Sequence, residues 1–197
     1  MRKRIKDLVN IQIGYQFRES LTTSSDGQYQ VIQAKDINAS NHQLEADAIN
    51  NVTPKRNPKR YEVANGEVIF LSKGRRNYAT FIEGLSGDLP AIVAGYFFIL
   101  RIKAKSLLPE YLSWSINQRP AQAYLQRVAR GSGMPFIPKD AFSNLEIDVP
   151  PVKIQNLISK LYKLSLKEEN ILTNIKTKRN ELLQGICLKA AKGVNRS

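Results

Sequence analysis

The sequence has one cysteine, Cys187, and one histidine, His42. A single cysteine excludes an internal disulfide and is typical of proteins from a reducing compartment, so we expect a cytoplasmic location. A Cys/His zinc site needs more cysteine and histidine side chains than these two, so none is expected. A Cys–His nucleophile pair is not expected either, because the two residues are far apart in the chain. We expect His42, in a polar segment, to be a surface residue.

Several sequence signals of catalysis and of membrane insertion are also missing. There is no Gly-x-x-x-x-Gly-Lys-Ser/Thr for nucleotide phosphates, and the one Gly-x-Gly, Gly131-Ser-Gly133, follows a predicted helix rather than a strand. No lysine has an acidic residue two positions before it, so the carboxylate-x-Lys pair common in metal-dependent nucleases is absent. No apolar run approaches the roughly 18 residues of a membrane span. The basic start Met1–Asp7 has no apolar stretch after it, so no signal peptide is predicted.

Acidic residues are few, because 17 Asp and Glu stand against 30 Lys and Arg, for a formal net charge of +13. A charge of that size repels itself in the folded state, so a polyanionic partner is expected. Before residue 150 the basic residues cluster in Arg2–Lys6, Lys55–Arg60 and Lys73–Arg76. A basic protein without such a partner is the plainer alternative. With 42% hydrophobic residues the chain can bury a core.

The first part of the chain predicts short elements separated by polar loops. Residues 5–13 fit one helical turn followed by a strand, and Gln30–Ala34 fits another strand. Residues 20–28 and 38–60 are polar and predict loops, the second one long.

A hairpin and a central strand are predicted next. Glu67–Leu71 and Tyr78–Ile82 form the two arms of the hairpin, and the basic turn Ser72–Asn77 is its tip. The apolar run Ile92–Ile102 predicts a single strand, because it is rich in β-branched and aromatic residues.

Helices are predicted late in the globular part. Pro109–Gln118 and the segment from Pro120 to about Ala129 each begin with proline, which suits a first helical turn, and Gly131–Gly133 ends the second. Leu145–Val149 alternates apolar and acidic residues and predicts a half-exposed strand. The predicted fold class is α+β, with residues 1–150 as one globular domain of short strands and a helix pair.

From Pro150 onward the pattern is that of one long helix. Pro150-Pro151 suits a helix start, and no proline follows. Apolar residues then recur at steps of three, four and seven, which is mostly the period of a coiled-coil seam: Ile154, Leu157, Ile158, Leu161, Leu164, Ile171, Ile175, Leu182 and Ile186. Residues 151–197 are therefore predicted to form a long helix for dimerisation or partner binding.

The charges in this seam predict how two such helices would pair. The dimerisation residues are Leu157, Leu161, Leu164, Glu168, Ile171, Ile175, Lys178 and Leu182. In a parallel pair Glu168 would face Glu168 and Lys178 would face Lys178, whereas in an antiparallel pair centred near Thr173 the two opposite charges meet. The sequence predicts an antiparallel homodimer. The alternatives are a helix that folds back on its own domain or pairs only with another protein.

Three basic segments are candidate contacts to DNA. Arginines on the short turn Lys73–Arg76 can reach phosphates or guanine edges, and its glycine lets the backbone approach a partner closely. Lys55–Arg60 suits phosphate contacts, and the turn around Gly131–Gly133 adds a third basic edge. The candidate residues are Lys55, Arg56, Lys59, Arg60, Lys73, Gly74, Arg75, Arg76, Arg130, Ser132 and Lys139. A solvated turn is the alternative.

Segments along the whole chain, taken in order, resemble one protein family. They are Gln33-Ala-Lys-Asp-Ile-Asn38, Ala64-Asn-Gly-Glu-Val-Ile-Phe70 with Ser72-Lys-Gly74, Pro109-Glu-Tyr-Leu112, Gly131-Ser-Gly133 through Ile137-Pro138, and Leu145-Glu-Ile-Asp-Val-Pro-Pro151 followed by Gln155 and Ile158. Their order and spacing resemble one target-recognition unit of a type I restriction–modification specificity subunit. The last segment is the most specific, because the family has that strand, a proline pair and then x-x-x-Gln-x-x-Ile opening a long helix. Glu67 stands where the family often has Asp, and Met134 where it often has Gln.

This resemblance implies sequence-specific binding of double-stranded DNA without catalysis. The long helix would hold a methyltransferase subunit and, through it, a restriction subunit. Methyl transfer from S-adenosylmethionine would take place in those partners, so no cofactor is expected in this chain. Family members commonly contain two such units and two helices, so this chain resembles a half-length specificity subunit or a fragment of a full one.

Two other functions stay open on the sequence alone. One is a nuclease or methyltransferase with an unrecognised site, built from scattered carboxylates such as Asp36, Glu62 and Glu67. The other is a coiled-coil adaptor that binds all DNA sequences equally weakly.

Overall fold

The computed structural model describes residues 1–17 and 26–194. It divides the chain into two compact units, Met1–Ser159 and Lys160–Ser197. The first unit combines short strands with helices, and the described residues of the second, 160–194, continue a long helix, so the predicted α+β class is confirmed. Most of the loop predicted at 20–28 lies outside the described residues.

Within the described residues, ten strands form three sheets. They are β1 Arg2–Arg4, β2 Val9–Ile13, β3 Tyr29–Ile32, β4 Asn50–Val52, β5 Glu62–Val63, β6 Val68–Leu71, β7 Ala79–Phe81, β8 Ala91–Val93, β9 Phe97–Ile102 and β10 Glu146–Asp148. An antiparallel sheet has the order β2–β9–β6–β7, and a mixed sheet has the order β4–β3–β8–β5 with β3 parallel to β8. β1 pairs with β10.

Four short helices and one long helix accompany the sheets in the described part of the chain. They are α1 Ile5–Leu8, α2 Pro109–Ile116, α3 Arg119–Val128, α4 Lys139–Ser143 and α5 Val152–Val194. Proline lies in the first turn of both α2 and α3, as the sequence predicted. The apolar face of α2 packs on β6 and β7, and Phe70 stacks on Phe142 of α4 at 4.2 Å, so the helices close the core over the antiparallel sheet.

The apolar run 92–102 forms two strands rather than the single strand predicted. β8 ends at Val93 and belongs to the mixed sheet, whereas β9 begins at Phe97 and is central in the antiparallel sheet. The chain changes sheets at Gly95, where a Cβ atom would lie 2.8 Å from Gln16 Cγ. Hydropathy does not reveal this break, because both strands are buried and their residues form one continuous apolar run.

The segment 38–60 carries more structure than the loop predicted. It contains a 3-10 turn at Ala46–Ala48, strand β4, and the start of a second 3-10 turn at Lys59–Tyr61. β4 has the sequence Asn-Asn-Val, and asparagine is depleted in strands, so propensity gave no signal for it.

Gln155 joins the first turns of α5 to the rest of the first unit. Its side chain is fully buried, accepts the Leu108 N–H at 2.9 Å, and donates to the carbonyls of Ser106 and Pro150, each at 2.7 Å. These bonds satisfy backbone groups at the entrance to α2 and at the proline pair. The glutamine of the Gln-x-x-Ile motif therefore has a structural role, and Ile158 packs against the same core.

The second unit exposes most of the predicted seam. Leu161, Leu164, Ile171, Ile175 and Leu182 are between 49% and 64% exposed. Leu172 and Leu183, each directly after a seam residue, are exposed as well, so the apolar stripe is wider than the predicted seam. Lys178, a seam position, pairs with Glu181 of the same helix at 2.9 Å.

Candidate nucleic-acid interface

The hairpin tip and the glycine turn, distant in sequence, are joined by backbone hydrogen bonds. The Gly74 N–H donates to the Pro135 carbonyl at 2.8 Å, and the Ile137 N–H donates to the Ser72 carbonyl at 2.7 Å. Arg130 and Phe136 exchange two further bonds, at 2.9 and 2.8 Å, and so close the loop 130–136. Two of the basic segments predicted as DNA contacts therefore form one continuous edge, which we call the basic edge (residues 72–77 and 130–137).

Two glycines give the basic edge its shape. Gly74 has φ of 129° and Gly131 has φ of 93°, values that L side chains rarely adopt. A Cβ atom on Gly131 would also lie 3.1 Å from the Met134 carbonyl oxygen. Lys73, Arg75, Arg76, Arg130 and Ser132 are exposed along this edge, and Gly74 is half-buried.

The sequence predicted that His42 is a surface residue, whereas the structure has it half-buried against the hairpin. Its imidazole stacks on the Tyr78 ring with centroids 4.6 Å apart, and its backbone has φ of 59°. Burial lowers the pKa of His42, and the nearby Arg76 charge lowers it further. Burial also raises the pKa of Tyr78. The loop containing His42 thus supports the base of the arginine tip.

A second basic surface is an open groove of about 820 Å³ that runs along β2. Its lining includes β2 from Asn10 onward and the three residues that follow the strand, 14–16, together with Arg56, Arg60 and Tyr61. Lys139, at the start of α4, also lines it. The groove therefore brings Lys139 together with two candidate residues that are distant from it in sequence, Arg56 and Arg60.

Hydrogen bonds hold the segment 56–61 in place at both of its ends. The Arg56 N–H donates to the Tyr15 hydroxyl at 3.2 Å. At the other end the Arg60 carbonyl accepts from Gln12 Nε2 at 2.7 Å and from Arg101 Nη2 at 3.3 Å. The backbone of this segment is therefore held in place, while the side chains of Arg56 and Arg60 remain exposed.

Aromatic rings line this groove as well. The Arg60 guanidinium lies over the Tyr61 ring, 4.6 Å from its centroid, and also donates to the Tyr61 hydroxyl. Tyr61 meets Tyr15 edge to face at 5.4 Å. Stacking of this kind limits the rotamers of a long side chain, so Arg60 is partly preorganised for an anionic partner.

The structure thus groups most of the candidate residues. Lys73, Gly74, Arg75, Arg76, Arg130 and Ser132 belong to the basic edge, and Arg56, Arg60 and Lys139 line the groove. Lys55 and Lys59 are exposed on the same segment but outside the groove lining. Gln12, Tyr15, Tyr61 and Arg101 were not found from the sequence.

Arg101 alone had a usable sequence signal, because it is the one charged residue in the run Ile92–Ile102. Over residues 1–17 and 26–194, no group of three or more His, Cys, Asp or Glu side chains is arranged to hold a metal ion. In that same part of the chain, no helix has the length and hydropathy of a membrane span.

Comparison with known families gives a match over nearly the whole chain. Residues 1–184 match the model described as type I restriction modification DNA specificity domain. The chain belongs to this family. A search of curated proteins with this sequence returned no match.

Three solved structures share the fold of this specificity domain. The S subunit of a type I restriction-modification system from M. genitalium superimposes with a TM-score of 0.56 at 14% identity, covering 86% of this chain and 39% of that one. The HsdS subunit from Thermoanaerobacter tengcongensis superimposes with a TM-score of 0.58 at 16% identity, covering 88% of this chain and 39% of that one. A chain from a structural study of complex assembly and conformational transition of the type I R-M system superimposes with a TM-score of 0.64 at 15% identity. The match covers 94% of this chain and 43% of that one. The specificity domain spans less than half the length of each.

Proposed function

We propose that this chain is a DNA-recognition unit of a type I specificity subunit, which binds a short double-stranded sequence. The observation that carries the proposal is the basic edge, where backbone bonds fix Gly74 against Pro135 and so hold two arginine-bearing loops together. Family membership over residues 1–184 supports the same function. A fixed loop backbone suits sequence recognition, because a two-pronged contact from arginine to guanine needs a defined approach.

The two basic surfaces have different chemical roles in this proposal. Arg75 and Arg76 at the hairpin tip contact base edges in the major groove. Arg56, Arg60 and Lys139, with Lys55 and Lys59 beside them, contact phosphates and set the position of the unit on the duplex. Lys73, Arg130 and Ser132 contact the sugar-phosphate backbone of the DNA next to the bases that the tip contacts.

Catalysis belongs to other subunits in this account. We infer that the chain itself transfers no methyl group and cuts no DNA, and that it positions a methyltransferase subunit and, through it, a restriction subunit. S-adenosylmethionine would then bind in the methyltransferase. Purified chain incubated with DNA and Mg²⁺, or with S-adenosylmethionine, is expected to give no turnover; turnover by the chain alone would favour the enzyme alternative.

The long helix is the assembly surface in the proposal. Pairing two copies antiparallel about Thr173 brings Ile171 opposite Ile175 and Glu168 opposite Lys178. Two recognition units related by a two-fold axis would bind an inverted repeat with a fixed gap. Leu172 and Leu183 lie beside that seam and are exposed. They are therefore available to a second partner, and a helix of the methyltransferase subunit could pack on them.

Selection of bound duplexes from a random pool, with the methyltransferase subunit present, tests the proposed function. A short enriched motif is expected. No enrichment over the starting pool, with DNA still bound, would instead support the non-specific adaptor.

A further inference from the structure

Arg101 makes four hydrogen bonds that cross the antiparallel sheet and reach the groove wall. It lies on the central strand β9, next to β2 on one side and β6 on the other. Its Nε donates to Glu67 Oε1 at 3.2 Å, and its Nη1 donates to Gln12 Oε1 at 2.6 Å. Its Nη2 donates to the carbonyls of Arg60 at 3.3 Å and Glu62 at 2.9 Å.

These bonds leave Arg101 little capacity to bind an anion itself. A guanidinium has five N–H donors, and its bonds here go to four acceptors within the protein. Its charge is paired with the Glu67 carboxylate, and the Arg101 side chain is 37% exposed. Arg60, by contrast, is exposed beside the groove and is oriented by the Tyr61 ring.

The carbonyls that Arg101 holds belong to the segment that carries the groove arginines. The Arg60 carbonyl is also bound by Gln12, whose side-chain oxygen accepts from Arg101, so the three residues form a closed set of hydrogen bonds. Glu62 begins β5, which joins the mixed sheet. Arg101 therefore links the antiparallel sheet to the backbone on both sides of Tyr61.

We propose that Arg101 is a positioning residue, which fixes the 60–62 backbone so that Arg60 is held ready for a DNA phosphate. The proposal rests on the proposed function, because it assigns the anion to DNA. Lysine cannot replace Arg101, since its single ammonium cannot reach a carboxylate, an amide and two carbonyls in one plane. Arg101, which does not contact the DNA, would thus control how tightly Arg60 binds the phosphate.

A double-mutant cycle on DNA affinity separates positioning from direct contact. The variants are Arg101→Met, Arg101→Lys, Arg60→Ala and the Arg60→Ala/Arg101→Met pair, with Lys105→Met as a control for loss of an exposed charge. Fluorescence anisotropy with a labelled duplex, over a series of salt concentrations, gives affinity and salt dependence. Arg60→Ala, Arg101→Met and Arg101→Lys are each expected to weaken binding about tenfold, the size of one charged hydrogen bond. The pair is expected to be no weaker than Arg60→Ala alone.

Two affinity results would overturn the proposal. If the pair loses the product of the two single effects and its salt dependence falls by two charges, Arg101 contacts DNA directly. If Glu67→Gln restores the affinity of Arg101→Met, the loss came from the unpaired carboxylate beside the groove rather than from a displaced segment. Positioning predicts that Glu67→Gln does not restore it.

Hydrogen exchange tests the positioning without DNA. The Tyr61 amide is bonded to the Pro58 carbonyl at 2.7 Å, within the turn that Arg101 holds. Its exchange is expected to accelerate in Arg101→Met, whereas exchange of Ile69, in the sheet core, stays unchanged. Unchanged exchange at Tyr61 would overturn the proposal. If the wild-type chain binds no DNA, the proposed function fails, and accelerated exchange would still establish that Arg101 positions the segment.

Discussion

The backbone N–H of Gly74 donates to the carbonyl oxygen of Pro135 at 2.8 Å, which locks the hairpin tip to the glycine turn of a distant segment. Arginine side chains on both loops thereby share one rigid support. A tip fixed at its base loses less conformational entropy on binding than a free loop, so its contacts contribute more of their energy to affinity.

Replacing the tip arginines should change which sequences are bound. Arg75→Ala and Arg76→Ala are each expected to cost about 1–3 kcal/mol of binding free energy and to relax preference at one base pair. Lys59→Ala removes a phosphate contact in this account and should weaken all duplexes alike, with a shallower salt dependence. Competition binding with single-base-pair variants of the selected duplex measures both effects. Tip variants that keep full affinity and preference would show that the hairpin does not contact bases.

Replacing the side-chain amide of Gln155 should destabilise the first unit. Gln155→Leu leaves the Leu108 N–H and the carbonyls of Ser106 and Pro150 without their buried partner, at an expected cost of about 2–4 kcal/mol in the free energy of unfolding. Urea unfolding followed by the fluorescence of Trp114, the only tryptophan, measures it. The exposed neighbour gives the control, Asn156→Ala, which should change stability by less than about 0.5 kcal/mol. Equal stability of the two variants would contradict this role.

Charge reversal in the seam tests the antiparallel dimer. Glu168→Lys should weaken the dimer, because Lys178 of the second copy then faces a like charge, and adding Lys178→Glu should restore it. Lys178→Glu also sets a carboxylate beside Glu181, which costs a few tenths of a kcal/mol within the helix, so recovery is expected to be incomplete. Light scattering at tens of micromolar gives the mass. A wild-type monomer, or a double variant no better than Glu168→Lys, would refute the register.

His42 should make stability depend on pH below neutrality. Its pKa is lowered by burial in the fold, so the imidazole stays neutral where the unfolded chain, with a pKa of about 6.5, takes up a proton. The unfolded state then binds more protons, and the free energy of unfolding falls as the pH drops below about 6.5. His42→Asn, which tolerates the left-handed φ of 59°, should lose less stability between pH 7 and 5. Parallel pH profiles for the two proteins would exclude this titration.

The sequence predicted most of the elements that have strong local signals. The hairpin β6–β7, the starts of α2 and α3 and the long helix were found because alternation, proline position and helical period each act over short distances. The break at Gly95 and strand β4 were missed, since their structure depends on pairing with residues far along the chain. Tertiary contacts overrode propensity in both cases.

The candidate site was predicted in its charges but not in its arrangement. Lysine, arginine and glycine clusters marked the tip and the loops, yet nothing local indicated that Gly74 bonds to Pro135 or that Arg60 and Lys139 line one groove. Gln12, Tyr15 and Arg101 act through backbone groups of a segment elsewhere in the sequence. Such contacts have no motif, because any backbone carbonyl or N–H can serve as the partner.

Sequence recognition by this chain is measured most directly as the ratio of its affinities for two duplexes of equal length and composition. One duplex carries the selected motif, and the other carries that motif scrambled. The measurement is made at one salt concentration, with the methyltransferase subunit present, because phosphate contacts contribute equally to both duplexes. We expect the motif to be bound at least about 1,000-fold more tightly than the scrambled duplex. Arg75→Ala or Arg76→Ala should lower this ratio, while Lys59→Ala should leave it unchanged. Equal affinity for the two duplexes would contradict sequence recognition by this chain.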